Sequence, residues 1–474
     1  MAPHRVKVLA FVVLIAVWPA ALRAEAPTAR QAEGRAAPPP GESPPPAADA
    51  KKAEDAWYAP LKDMKVGPGS LSIDASLRLR YEYTDNFDVP TYNTGLDDDV
   101  WLLRTRVGFD YRFTKDVHAY VQFQDARHYG YYLDRDQFAL SCPFFDQVDV
   151  KQAFVEAKRI GGSPFGFKIG RQAISYADNR VFGPGDWGNV GRYWWDAAKL
   201  YIDTERVQVD LLFGQRVLSE QVHWNEKHFD FDMFGAYAQL KKLPFQLDAF
   251  YVCRYDDHNA ARRNAGRGHE RRHSVGAYAK GAFAKSWDYQ GTLVAQFGRF
   301  GRNEIEAYAA CAGVGYTFDH PWKPRLAGEF SYASGDRDRR DKKTQTFDGV
   351  FGAIDTFYGR MNLLSWMNIL DYQATASITP RKNLTFSCDY HYLTLASDAD
   401  AWYYGTGSPS RLARTGGSGT YLGQEVDLLV KWNISKEFEL FAGYAHFFGG
   451  SVVADTRPGR NDADWVFVQL MYSF

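Results

Sequence analysis

The chain has 474 residues, with 56 basic and 57 acidic side chains and a formal net charge of −1 at pH 7. That balance gives no electrostatic reason to expect a nucleic-acid partner. A mean hydropathy of −0.41 excludes a bundle of membrane helices, yet 16% of the residues are aromatic, with 29 Tyr, 33 Phe and 13 Trp, an excess that needs a physical cause.

The first element in chain order reads as a secretory signal. His4, Arg5 and Lys7 form a positive n-region, and Val8 to Trp18 is an apolar stretch too short for a good membrane helix. Small residues follow, and Ala24 is the expected last residue of a signal spanning 1–24. No Cys follows the apolar stretch, which argues against a lipid anchor. Residues 25–66 are rich in Ala, Pro and charge (APPPGESPPPAADAKKAED) and are expected to form a periplasmic linker with no core. From 67 to 474 the texture is uniform, and a single domain is expected there.

That domain reads as a succession of strands with side-chain period two. SIDASLRLRYEY places Ile73, Ala75, Leu77, Leu79, Tyr81 and Tyr83 on one face and Asp74, Arg78, Arg80 and Glu82 on the other. LLRTRVGFDYRF divides in the same way, with Leu103, Val107, Phe109, Tyr111 and Phe113 opposite Arg104, Arg106, Asp110 and Arg112. Long polar connections, such as NFDVPTYNTGLDDD and residues 128–149 and 176–195, alternate with short turns such as TKD, GGSP, DTER, KKLP and SKE. This pattern predicts about eighteen strands in a transmembrane antiparallel up-and-down β-barrel, with long extracellular loops and short periplasmic turns. A soluble sandwich needs neither this alternation nor strands of ten or more residues, since soluble strands average about half that.

The closing stretch WVFVQLMYSF puts Val466, Val468, Leu470, Tyr472 and Phe474 on one face. Such a row is stable against hydrocarbon, and the aromatic excess fits girdles at the two membrane interfaces. Tyr472 and Phe474 are the expected assembly signal, read by the barrel-assembly machinery. The expected location is the Gram-negative outer membrane, surrounded by lipid, with both termini periplasmic.

An outer face toward lipid leaves the opposite face to line the lumen. That face carries Arg78, Arg80, Arg104, Arg106 and Arg254, with Glu82, Asp110, Glu425 and Asp427 as acidic partners. One reading is a salt-bridged wall that stiffens the barrel. The other is an anion-selective element, because charged rings set pore selectivity and the planar Arg fork binds carboxylate in two places. Both readings can hold in one lumen. None of the 11 His lies in an HExxH motif, and Cys142, Cys253, Cys311 and Cys388 form no CxxC pair. No catalytic site, metal or cofactor is expected, and the cysteines are expected to be thiols. Asp97 to Asp99, Asp398, Asp400 and the run GDRDRRDKK read as solvated loop tips rather than Ca²⁺ ligands.

Four stretches resemble the alginate-export family of outer-membrane barrels: IGRQAISYADNRVFGP from Ile169, FYGRMNLLSWMNILDYQ from Phe357, CDYHYLTLASDAD from Cys388 and LGQEVDLLVKWNI from Leu422. The resemblance runs from about Leu71 to Phe474. It implies an eighteen-stranded monomer with an arginine-lined, electropositive pore that passes a polyuronate. By motif, Arg171 of GRQ and Arg360 of YGRMN take the places of family arginines that point into the pore. The Pro-rich linker and the long loops depart from the family pattern. The expected function is therefore a channel for an anionic polysaccharide or oligosaccharide. A general porin and an adhesin or structural barrel are the alternatives.

Overall fold

The computed structural model describes residues 56–474, except 134–141, 257–261, 264–265, 339, 354–356, 406–417 and 457–458. The signal and most of the Pro-rich stretch therefore lie outside the described residues.

Eighteen long strands run from Gly69–Phe87 to Ala463–Ser473, each antiparallel to its neighbour in sequence. The last pairs back onto the first, with Arg80 opposite Gln469 and Tyr83 opposite Val466. The sheet is thus closed and leaves no edge, as hydrocarbon requires of a spanning sheet. No helix among the described residues is long and apolar enough to cross a membrane, so the crossing is made by strands. The first two strands have 19 and 21 residues, well beyond the roughly 9–11 that a tilted strand needs to span a bilayer. They extend past the membrane on the long-loop side.

The burial pattern is inverted relative to a water-soluble protein. On the strand Tyr421–Asn433, Leu428 is 49% exposed while its neighbour Asp427 is fully buried. The first strand repeats this, with Leu77 and Leu79 exposed and Arg78 and Arg80 buried. Apolar side chains face out and charged ones face in. Exposed rings crowd the short-turn end, among them Phe113, Phe165, Phe283, Trp322 and Phe438. Trp101 and Tyr129, which face each other across two strands, are exposed toward the other end.

Residues 56–66, expected to be linker, pack on the short-turn end instead. A 3-10 turn, Ala59–Leu61, leads into Met64–Val66, which pairs antiparallel with residues 69–71. The Trp57 indole donates to the Tyr472 hydroxyl on the last strand (2.9 Å), and the Tyr58 hydroxyl donates to Glu437 (2.7 Å). The Tyr58 ring stacks on Phe474 at 5.2 Å. Lys62 Nζ donates to the Ile73 carbonyl at 2.7 Å. The segment straps the seam between first and last strands. Trp57 and Tyr58 supply the rings for this contact, which the Ala- and Pro-rich composition before them does not offer. Cys253, Cys311 and Cys388 lie within strands as thiols.

Two outcomes are expected. Unboiled protein should migrate apart from boiled protein on a detergent gel, and Leu428→Arg should lower the temperature at which the forms interconvert, at a cost of about 2–4 kcal/mol if the site lies near the bilayer midplane. An unchanged temperature would place residue 428 away from lipid. Replacing Trp57 and Tyr58 together by Ala should lower the same temperature more modestly, since aromatic pairs contribute about 0.5–1.5 kcal/mol each.

Candidate functional site: a loop-filled lumen

Two of the long connections turn inward. Residues 173–193 follow the strand Phe165–Gln172, and residues 334–368 follow Arg325–Ala333. They meet inside the barrel, where Gly183 N donates to the Phe351 carbonyl and Ala353 N to the Asn179 carbonyl, both at 2.9 Å. Phe182, Phe347, Phe351 and Trp366 of these loops are among the most buried side chains in the protein. Arg180 ties this plug to the wall. It donates to Asp178 (2.9 Å), Ser331 (3.1 Å) and the Tyr358 hydroxyl (3.3 Å), and forms an ion pair with Glu329. Part of the lumen is therefore a packed aromatic core, not an open water-filled tube.

The inward-facing arginines of the first two strands meet this plug. Arg78 and Arg104 sit directly opposite each other in the ladder. Arg78 donates to the carbonyls of Asp186, Trp187 and Gly188 and to Asn189 Oδ1, each at 3.1 Å. Arg80 donates to the Trp187 carbonyl at 2.8 Å, and Arg104 to that of Asp186 at 3.0 Å. Arg106 pairs with the Asp186 carboxylate at 2.6 Å. Four guanidiniums thus grip the four residues 186–189. Their mutual repulsion is offset by carbonyl dipoles and one carboxylate. Burial works to raise the Asp186 pKa, but Arg106 and Arg104 outweigh it and hold the carboxyl well below the usual range. Strand parity places these arginines inside. It gives no sign that a loop would occupy them, and the one available hint was a lone acid in the Gly-rich stretch GPGDWGN.

The other residues singled out in the sequence divide among several settings. Arg171 makes a two-pronged contact with Asp196 directly across the ladder, at 2.9 and 3.2 Å. Arg254 binds Asp348 of the second inward loop (2.8 Å) and Glu270 (2.5 Å). Asp110 pairs with His118 (2.6 Å) and Arg112 (3.0 Å). Glu82 pairs with Arg80 at 2.6 Å. Glu425 and Asp427 are fully buried beneath Gly359–Met361, where Met361 N donates to Glu425 (2.9 Å) and Arg360 N to Asp427 (3.3 Å). Gly359 has φ +88°, a left-handed conformation that favours glycine, and a Cβ there would displace the Glu425 carboxylate from its amide partner. The Arg360 guanidinium lies 5.9 Å from the Phe441 ring. Tyr472 and Phe474 sit under the strap at the short-turn end. Asp400, expected at a solvated tip, is buried and accepts from Thr346 (2.5 Å), Tyr403 (3.0 Å) and the Asp336 amide (2.8 Å). It staples two loops together.

A hollow of about 570 Å³ remains above the plug, on its long-loop side. Arg80, Arg192, Arg216 and Arg360 line it together with Trp187 and Trp465. Arg192 escaped the sequence reading because it lies in a loop, where strand parity says nothing. A larger hollow, about 740 Å³, lies on the outer wall among Leu326, Phe386, Leu428 and Val468 and faces the hydrocarbon.

A closed barrel with a lipid-suited exterior and a charged, loop-constricted lumen defines an outer-membrane channel of the porin class. More narrowly, the chain belongs to the alginate export family, whose family model matches residues 70–467. Solved structures share the fold. Acinetobacter baumannii OccAB2 aligns at 13% identity over 85% of this chain and 98% of that one, with a TM-score of 0.56. The Pseudomonas aeruginosa outer membrane protein opdK aligns at 11% identity over 85% and 98%, also with a TM-score of 0.56. A form of OpdK solved with vanillate aligns at 12% identity over the same shares, with a TM-score of 0.54. No curated protein matches the chain.

The depressed Asp186 pKa fixes a pH sign. A carboxyl held low contributes its stabilisation above the ordinary value and loses it only as pH falls through its own lower value. The 186–189 stretch should therefore resist pepsin even near pH 4, where an ordinary Asp is about half protonated. Arg106→Met should make the same stretch cleavable, as read by mass spectrometry of the fragments. Equal resistance in the variant would show that this ion pair does not hold the loop.

Proposed function

We propose that this channel carries an anionic polysaccharide or oligosaccharide across the outer membrane. In this reading the long loops face the medium and the short turns and both termini face the periplasm. Residues 1–24 direct export, and the barrel-assembly machinery inserts a monomer. The observation that carries the proposal is the hollow lined by four guanidiniums and two indoles. Guanidinium forks match the carboxylates of a uronate, and indole faces match the apolar faces of sugar rings. Arg192, Arg216 and Arg360 are the residues assigned to the solute. Arg78, Arg104 and Arg106 serve it indirectly, by holding the loop that forms the floor. Glu82 and Asp88 also line the hollow and temper its field, so the expected behaviour is anion preference rather than cation exclusion.

A second reading has an observation of its own. A hollow of about 570 Å³ is within the roughly 300–1,000 Å³ of ordinary small-molecule sites. A similarly folded protein was solved with vanillate, a small carboxylate. This favours a porin for small organic acids.

Planar bilayers separate the two. The polysaccharide reading expects an anion-preferring reversal potential in a salt gradient and block of the small-ion current by uronate oligomers, more strongly with length. Replacing Arg216 and Arg360 together by Gln should reduce both, with heat-modifiable migration retained, because lumen substitutions mainly tune selectivity. Block by vanillate-like acids but not by uronate oligomers would select the second reading. A cation-selective wild type would remove both.

A further inference from the structure

We infer that Trp187 is the gate of this channel, a side chain that closes the floor of the arginine-lined hollow and moves aside to open it. The inference rests on the channel reading and not on the identity of the solute.

The Trp187 backbone is fixed, since its carbonyl accepts from both Arg78 and Arg80. Its indole points from the loop onto the wall directly beside the strand that carries Arg80, because the last strand pairs with the first. There it meets three rings edge-on, Phe467 at 5.1 Å, Phe441 at 5.8 Å and Trp465 at 6.1 Å, on the inner faces of the last two strands. On its other side the Arg80 guanidinium covers the indole at 4.3 Å. The indole therefore bridges loop and wall. Along the first strand, the hollow is lined by Arg80, Glu82, Thr84 and Phe87, and by no described residue on the short-turn side of Arg80. The open space ends at the level of this ring.

Three features distinguish a gate from a core anchor. Trp195, Trp366 and Trp402 are each among the fully buried side chains, whereas Trp187 is half-buried and borders open space. Gly188 follows it directly and lines the hollow, as does Gly185 two positions before it, and the Asp186 carboxylate between is drawn away to Arg106. The bonds that hold the loop involve the Trp187 carbonyl, so rotation about the side-chain torsions leaves them in place. Moving the indole also uncovers the face of Arg80 toward the hollow. An entering anion gains that guanidinium as the ring loses it, which couples opening to the solute's charge.

The test uses the full-length protein in planar bilayers with potassium chloride. Trp187→Ala should at least double the single-channel conductance, while Trp187→Phe, which keeps a ring in place, should stay close to wild type. Heat-modifiable migration on a gel confirms that each variant is folded. If Trp187→Ala does not fold, Phe441→Ala opens the same floor from the wall side and should raise conductance likewise. A folded Trp187→Ala channel with wild-type conductance overturns the gate, as does an unchanged Phe441→Ala channel where that variant decides. A raised conductance without block by uronate oligomers keeps the gate and removes the polysaccharide reading. Uronate block with unchanged conductance does the reverse.

Discussion

Hydrocarbon offers no partner to a backbone N–H or carbonyl, and the rest of this structure follows from that constraint. A spanning sheet must close on itself, and here the last strand pairs with the first along residues 76–85. Closure with eighteen strands makes a cylinder too wide for wall side chains alone to fill. The interior is then either water or more chain. In this protein it is partly chain, because residues 173–193, 344–353 and 357–368 fold inward, and Phe182 packs on Tyr237 and Phe250 while Phe351 packs on Tyr193 and Trp195.

Bringing loops inside transfers the same constraint to the lumen. A buried loop carries carbonyls that no strand partner satisfies. The wall answers with guanidiniums, since each offers five donors and never loses its charge. Arg78, Arg80 and Arg104 supply these to Asp186, Trp187 and Gly188, while Arg106 takes the one carboxylate. A cluster that looks like an ion filter in the sequence is in large part a clamp. Clamp and filter are not exclusive, because the same clamp positions the loop whose far side, with Arg192 and Trp187, borders the open hollow.

Charge inside the barrel is paired between loop and wall. The first two strands present arginines to one loop, whose Arg180 pairs with the wall's Glu329, and the strand of Glu425 and Asp427 presents acids to the other beneath Gly359–Met361, while Arg254 binds that loop's Asp348. Each inward loop meets the wall with groups of matching chemistry, which pins both and leaves a narrow lined space between loop and wall. Removing either partner of such a buried pair leaves the other uncompensated, so these contacts specify where the loops lie.

The barrel itself is legible in the linear chain. Period-two alternation decides which side chains share a face, and long and short connections decide which end is which. The strand order, the outward rows and the inward direction of Arg78, Arg80, Arg104 and Arg106 all follow. These are local properties, set within a few residues of chain. What the inward residues touch is decided only by strand register, loop entry and closure. Arg171 meets Asp196 because of ladder register, Arg254 meets Asp348 across 94 residues of chain, and Asp400 joins Asp336 and Thr346 instead of facing water. Residues 56–66 strap the seam because closure places Tyr472 and Phe474 beside Trp57, 415 positions before Tyr472 in the chain. Loop entry into the lumen has no periodic signature, since it depends on the width of the closed barrel and on donors that only closure gathers in one place.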